Sequence, residues 1–160
     1  MKGDPRVIEV LNQVLKSELT AINQYFLHGE MCSNWGYQRL YKKIREESIG
    51  EMRHAEELIE RILYLDGTPN MSDMFKISVG KTVKEQLQSD VGLEYEAVQR
   101  LNDGIKICEA ANDHGSRDLL QEILDDEEEH IDWTESQLHA IDEIGMQNWL
   151  TQQLKYEEEK

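Results

Sequence analysis

A pattern of glutamate and histidine occurs twice in this chain, and its spacing constrains the fold more than any other feature. The pattern is a glutamate, a second glutamate 33 residues later, and a histidine three residues after that. The first copy is Glu18, Glu51 and His54, and the second copy, displaced by 76 residues, is Glu94, Glu127 and His130. The probability of this double pattern by chance is roughly a few in a thousand. It predicts a molecule made of two similar halves.

Apolar residues recur every three or four positions around these glutamates and histidines, which predicts long amphipathic helices. Asp4-Pro5 is typical of a helix start, and the stretches SNWG, DGTPN and ANDHG, together with Gly145, are typical of helix ends. The predicted helices cover about residues 5–33, 35–65, 83–111 and 113–144, with a short fifth helix over about residues 147–154. The final YEEEK is predicted to be a frayed tail.

The connections between the helices predict how they are arranged. The first two helices have a short link, as do the third and fourth, so each pair forms an antiparallel hairpin. Residues 66–82 can span about 56 Å when extended, whereas a helix of thirty residues is only about 45 Å long. This segment is therefore long enough to cross the bundle from end to end. The prediction is one all-α domain over residues 1–160, a four-helix bundle of two hairpins joined by one long crossover, with a short fifth C-terminal helix.

Composition restricts the partners. The net charge of −16 disfavours nucleic acid and anionic membranes and favours cations. The chain has no apolar run of membrane-spanning length, and its first ten residues do not resemble a signal peptide. Cys32 and Cys108 form no CxxC pair, which favours a reducing cytosol and packing roles for both thiols. We therefore expect a cytoplasmic protein.

The four repeated glutamates fall near the middles of the predicted helices, and these midpoints meet at mid-height of a bundle. Four unpaired carboxylates would be costly to bury there, and no comparable set of Lys or Arg lies on the apolar faces. Two divalent cations would balance the four charges. A Glu from each of two helices, with Glu-x-x-His from each of the other two, is the di-iron carboxylate motif. The alternative is a coincidence of solvated glutamates. Without thiolates, the set suits iron, manganese or zinc, and redox use favours iron.

Four stretches of the sequence resemble bacterioferritin: MKGDPRVIEVLNQVL, ELTAINQYFLH, ESIGEMRHAEELIERILYLDGTPN and EEEHIDWTESQL. The resemblance extends from the first residue to about Trp149. It implies a ferritin-like four-helix bundle whose copies form two-fold dimers and then a hollow 24-mer cage. It also implies a ferroxidase that oxidises Fe(II) with O2 or H2O2 at a di-iron centre inside each subunit and stores the ferric mineral in the cage.

The resemblance also implies roles for individual residues. The family's iron ligands fall on Glu18, Glu51, His54, Glu94, Glu127 and His130. Glu51 and Glu127 would bridge the two ions, Glu18 and His54 would complete one ion, and Glu94 and His130 the other. Tyr25 matches a tyrosine that the family keeps beside its site, and a packing aromatic with a hydrogen-bonded hydroxyl is an equal alternative.

Met52 matches the axial ligand of a haem b that two subunits share, and the alternative is a methionine that fills a helix–helix interface. A haem at this position would pass electrons inward for iron release, with bacterioferritin-associated ferredoxin as the implied donor. Gly50 stands where members with an extra iron position on the inner wall have a carboxylate, although Glu46 and Glu47 are nearby. Two further residues, Asn148 and Gln152, are candidates to line a channel on a symmetry axis.

Three other classes share some of these features. A di-iron oxygenase or peroxidase would have the same ligands, but rubrerythrin-like proteins add a four-cysteine site and hydroxylases are usually longer. A haem-binding electron-transfer bundle would leave the repeated ligand set unexplained. A DNA-protecting mini-ferritin is disfavoured by the negative charge and by ligands that lie within one subunit.

Overall fold

A computed structural model of the protein describes residues 1–154, and every regular element in that range is a helix. The helices are α1 (Pro5–Asn34), α2 (Gln38–Tyr64), α3 (Val83–Ala110), α4 (His114–Ile144) and α5 (Met146–Thr151). The predicted all-α class, a four-helix bundle with a short C-terminal helix, is confirmed. The YEEEK tail and the predicted domain end at residue 160 lie outside the described residues.

Three of the helices begin at side-chain caps that satisfy otherwise unpaired backbone N–H groups. Asp4 accepts a hydrogen bond from the Arg6 N–H, and Pro5 occupies the first helical position. Thr82 caps α3, and Asp113 caps α4 by accepting from the Ser116 N–H. These short polar side chains explain why the helices start where the sequence pattern changes.

Glycine sets two helix boundaries, of which one differs from the sequence prediction and the other, at the end of α4, agrees with it. Gly36 has a φ of 89°, which a continuing helix does not allow, so α2 begins at Gln38 and not at about residue 35. Gly145 has a φ of 84° and separates α4 from α5. The fifth helix is also shorter than predicted, ending at Thr151 and not at about residue 154.

The core consists of two apolar clusters, one toward each end of the bundle. The first is built around Leu11, Leu58, Leu101 and Leu120, and the second around Tyr25, Ile44, Leu87 and Ile141. Each long helix contributes to both clusters. The segment between the two contributions is where each helix carries its repeated glutamate.

Residues 66–82 form the crossover, which has no regular secondary structure and is held by α1. Four α1 side chains accept hydrogen bonds from crossover N–H groups: Asn12 from Asn70 (2.8 Å), Thr20 from Phe75 (2.8 Å), Gln24 from Ser78 (2.9 Å) and His28 from Gly80 (3.0 Å). The fully buried His28 also donates from Nδ1 to Asp90 of α3 over 2.8 Å. The crossover is therefore fixed along the bundle by its own backbone.

Candidate metal centre

The six repeated residues meet at the centre of the bundle. Glu18 comes from α1 and Glu94 from α3, while α2 and α4 each supply a glutamate and a histidine. Two overlapping groups have ligand atoms within 4.8 Å of one another: Glu18, Glu51, His54 and Glu127; and Glu51, Glu94, Glu127 and His130. In α2 and α4 the glutamate and the histidine can both face the centre, because positions three apart lie side by side on one helix face.

The first group surrounds the Nδ1 atom of His54. That atom lies 3.6 Å from Glu18 Oε2, 3.7 Å from Glu51 Oε2 and 3.2 Å from Glu127 Oε1. All four side chains are nearly inaccessible to solvent. A tetrad of three carboxylates and one imidazole nitrogen is a hard, anionic site of the kind that divalent iron, manganese and zinc occupy.

The second group surrounds the Nδ1 atom of His130. That atom lies 3.2 Å from Glu51 Oε1, 3.9 Å from Glu94 Oε1 and 3.4 Å from Glu127 Oε2. Glu51 and Glu127 thus turn one oxygen toward each histidine. A carboxylate in this orientation can bridge two ions, whereas Glu18 and Glu94 each face only one.

Buried polar atoms without hydrogen-bond partners identify the cluster as a candidate ligand-binding site. Such atoms are rare in folded proteins because each costs about 1–3 kcal/mol. Eight of them belong to the six residues: both oxygens of Glu18 and Glu127, Oε1 of Glu51, Oε2 of Glu94, and Nδ1 of His54 and His130. In residues 1–154 the one other such atom is Oε1 of Glu47, one turn before Glu51. The donor set therefore fits two metal ions that would satisfy these atoms.

The protonation of the cluster also depends on its burial. Desolvation, together with the charge of Glu127, raises the pKa of Glu51 to about 7. Desolvation alone would lower the pKa of His54, but hydrogen bonds with Glu127 and Glu51 raise it to about 11. The pKa of His130 is also raised: desolvation opposes the shift, and bonds with Glu127 and Glu51 outweigh it. Without metal, protons on the imidazoles offset part of the carboxylate charge.

Several known proteins resemble this chain over most of its length. A family profile described as a ferritin-like domain matches residues 8–144. The bacterioferritin of Mycolicibacterium paratuberculosis is 46% identical over 152 residues, which cover 95% of this chain and 96% of that one. Bacterioferritin BfrA of Mycobacterium tuberculosis is 50% identical over 145 residues, 91% of each chain, and the bacterial ferritin of Synechocystis is 47% identical over 155 residues, 96% of this chain and 99% of that one.

This chain belongs to the bacterioferritin family. The resemblance drawn from its sequence motifs is therefore confirmed. Within residues 1–154, none of the helices of this bacterioferritin-family chain has an apolar stretch long enough to span a membrane.

Tyr25 lies against the cluster without being part of either ligand group. Its ring is buried in the apolar cluster, and its hydroxyl donates a hydrogen bond to Glu94 Oε1. The ring of Tyr25 therefore packs in the core as a packing aromatic would, and its hydroxyl contacts a candidate ligand as a residue beside the site would.

Met52 lies on the outside of α2, away from the two ligand groups of this bacterioferritin-family chain, and its side chain is 55% exposed. Its thioether is therefore accessible to a group that approaches from outside the bundle. Other large apolar side chains are also exposed on the first hairpin, among them Phe26 on α1 and Ile49 on α2. A group that bound between two copies at this surface would contact Met52 of one copy on one side and the second copy on the other.

Other candidate residues lie apart from the centre. Cys32 and Cys108 are buried free thiols, one in each apolar cluster, and desolvation raises the pKa of both. Asn148 donates to the Ile144 carbonyl within the C-terminal segment, and Gln152 follows α5 directly.

Sequence reasoning did not identify Asp126, the residue before Glu127. Its Oδ2 accepts a hydrogen bond of 2.8 Å from Nε2 of His54, on the side of the ring opposite the ligand atom. Asp126 lies in an acidic run of five residues, and this run masks it in the sequence. The 76-residue repeat was an available signal, since Asp126 falls at the same place in its half as Gly50.

Proposed function

We propose that this protein is an iron-storage ferroxidase. It oxidises Fe(II) with O2 or H2O2 at the Glu/His cluster and stores the ferric product in a hollow cage made of its own copies. The observation that carries the proposal is the set of eight buried, unpartnered ligand atoms at the point where the four helices meet. Iron storage also agrees with the bacterioferritins that this chain is similar to.

The proposed ligands are Glu18 and His54 for one iron, Glu94 and His130 for the other, and Glu51 and Glu127 for both. Each Fe(II) gives up one electron, so a pair supplies the two electrons that convert O2 to H2O2 or H2O2 to water. The four carboxylates neutralise two divalent ions and favour the added positive charge of the ferric product. The two bridging carboxylates hold the paired irons close enough to react together.

The test is an aerobic addition of Fe(II) to the metal-free protein, with oxidation followed by absorbance. We expect the first two Fe(II) ions per subunit to be oxidised rapidly, and mineral growth to follow more slowly. Glu18→Ala and Glu94→Ala should each abolish the rapid phase while circular dichroism stays helical. Glu128→Ala removes an exposed carboxylate from α4 and should leave the rapid phase unchanged. A wild-type rapid phase in both ligand variants would remove the ferroxidase assignment.

The proposed assembly is a closed 24-mer cage built from two-fold dimers. Support comes from the exposed apolar residues on the first hairpin, which suit contact with a second copy. The short helix α5 is already packed within one chain, since its Trp149 is buried in the second apolar cluster. Elution in size-exclusion chromatography near the 18.7 kDa of one chain would contradict the cage.

The finer part of the proposal concerns haem b. Met52 from each of two copies would bind opposite faces of one haem, and the haem would transfer electrons from bacterioferritin-associated ferredoxin toward the stored mineral. Met52→Leu preserves volume and apolarity, so the assembly should form with little loss of stability. The variant should lose the haem absorption band and release iron more slowly while rapid Fe(II) oxidation continues. Wild-type haem content in the Met52→Leu protein would show that this residue is not the ligand.

A further inference from the structure

The two histidines of the cluster differ in the contacts of their Nε2 atoms, which lie on the side of each ring away from the ligand atom Nδ1. His54 donates from Nε2 to Asp126 over 2.8 Å, and its side chain is 7% exposed. His130 is 18% exposed, and in residues 1–154 its Nε2 has no hydrogen-bond partner. The two imidazoles face the same bridging carboxylates, so the difference between them lies in their outer contacts.

The internal repeat explains this difference. Asp126 corresponds to Gly50, as His130 corresponds to His54, because both pairs are 76 residues apart. A side chain at position 50 would thus stand to His130 as Asp126 stands to His54. Gly50 has no side chain to take this position, although a Cβ added there would meet no atom within 4 Å. One half of the cluster has an outer carboxylate, and the other half has open space in the equivalent position.

A second asymmetry lies on the opposite side of the cluster. Oε1 of Glu94 accepts a hydrogen bond from the Tyr25 hydroxyl, whereas both oxygens of Glu18 are unpartnered. The repeat counterpart of Tyr25 is Leu101, which cannot donate a hydrogen bond to Glu18. Glu94 therefore has only Oε2 without a hydrogen-bond partner. Glu18 has both oxygens available to an ion.

We propose that Asp126 is a positioning residue that makes the Glu18–His54 position the tighter of the two, and that Gly50 leaves the Glu94–His130 position the more exchangeable. This inference rests on the proposed function, since it assigns different affinities to that same pair of sites. A carboxylate that accepts the outer N–H of a metal-bound histidine fixes the ring and its tautomer, and loss of such a partner typically weakens metal binding about 10–100-fold. His54 has this partner, and His130 lacks it.

The test is an anaerobic titration of the metal-free assembled protein with Co(II), followed by its visible absorption. Co(II) is close to Fe(II) in affinity for nitrogen and oxygen ligands, and the readout does not depend on turnover. We expect two ions per subunit to bind in two separate steps. Asp126→Ala should weaken the first step about 10–100-fold and bring the two steps together. Glu128→Ala removes the same charge from an exposed neighbour on α4 and should leave the steps separate.

The reverse experiment adds the missing carboxylate. Gly50→Asp should strengthen the second step by about 10-fold or more without changing the first. Gly50→Ala is its control, because it adds a side chain at the same helical position without a carboxylate and should leave both steps unchanged. A protein with Gly50→Asp and Asp126→Ala together should again show two separate steps, with the order of the positions reversed.

The outcomes distinguish this inference from the proposed function. Failure to bind two Co(II) ions per subunit would overturn the proposed function itself. Two equal steps in the wild-type protein would leave that function standing and would overturn the inference. Equal effects of Asp126→Ala and Glu128→Ala would overturn it too, since the effect of Asp126 would then be that of its charge alone.

Discussion

Metal binding at the cluster should release an unusually large number of protons. Metal coordination requires a neutral imidazole nitrogen and an ionised carboxylate, so any proton on the ligand atoms must leave. The pKa of His54 is about 11 and that of His130 is also raised, so at pH 7 each imidazole loses one proton. Glu51, with a pKa of about 7, is half protonated and adds about half a proton. Binding of two ions should therefore release at least about 2.5 protons per subunit at pH 7, since desolvation also raises the pKa of Glu94.

Histidines with ordinary pKa values would release far fewer protons on metal binding. At the reference pKa of about 6.5, each imidazole is only about one quarter protonated at pH 7, and the two together release about half a proton. Isothermal titration calorimetry with Zn(II) separates the two cases. The apparent enthalpy is measured at one pH in buffers of different ionisation enthalpy, and its slope gives the number of protons released.

The pH dependence has a definite direction. Below pH 7 more of Glu51 is protonated, so the count should rise, and above pH 7 it should fall toward two. His54→Gln should lower the count by about one, while Glu128→Ala should not change it. Release of about half a proton or less by the wild-type protein would refute the reasoning, because the imidazoles would then be neutral before metal arrives.

Two further predictions concern how the crossover is held. His28→Ala should destabilise the protein by about 1–3 kcal/mol in urea unfolding, because it leaves the buried Gly80 N–H without a partner. Asp90 also loses one of its hydrogen bonds and keeps the one that it accepts from Gln24. Gly80→Ala should also destabilise it, since an added Cβ would lie 2.4 Å from the backbone nitrogen of Gln86. Gly50→Ala, at a helical position with open space, should be neutral or slightly stabilising, and an equal loss in both glycine variants would refute the steric argument.

The bundle and its centre were predictable because helix geometry is local and regular. A spacing of three places Glu51 beside His54 whatever surrounds them, and the spacing of 33 between glutamates follows from two helices joined by a tight turn. The apolar stripes identified the buried face of each helix. The repeat then allowed the same reasoning to be applied to both halves of the chain.

The outer contacts of the centre were not predictable because they depend on distant pairs and on side-chain orientation. Asp126 reaches His54 across 72 residues of sequence, and nothing in the run DDEEEH distinguishes it from its exposed neighbours. The hydroxyl of Tyr25 reaches Glu94 across 69 residues. Periodicity identifies the face on which a residue lies, but it does not identify the partner across the interface.

The buried centre also explains why the helices are so long. The cluster separates the core into two parts, and each part needs about two turns of apolar residues from every helix. The four long helices contain 30, 27, 28 and 31 residues, which leaves room for an apolar cluster on each side of the ligands. Stability then comes from the two ends of the bundle, and the middle is free to hold charges that work against folding.

This division predicts that neutralising one ligand should not destabilise the metal-free protein. Desolvation raises the pKa of Glu94, so its ionised form is disfavoured in the folded state relative to the unfolded state. Glu94→Gln keeps the shape and removes the charge, and the urea midpoint of the metal-free protein should therefore stay the same or rise at pH 7. The difference from wild type should shrink as the pH falls through the folded pKa, because the wild-type carboxyl is then neutral as well.

The same variant should lose about half of its stabilisation by metal. A site filled at a hundred times its dissociation constant adds about 2.7 kcal/mol to the free energy of unfolding. Zn(II) should add about that amount for each of two sites in the wild-type protein and for one site in Glu94→Gln. A lower midpoint of the metal-free Glu94→Gln protein would mean that Glu94 contributes to the fold through its charge, and the view of the centre as a destabilising, metal-satisfied cluster would then be wrong.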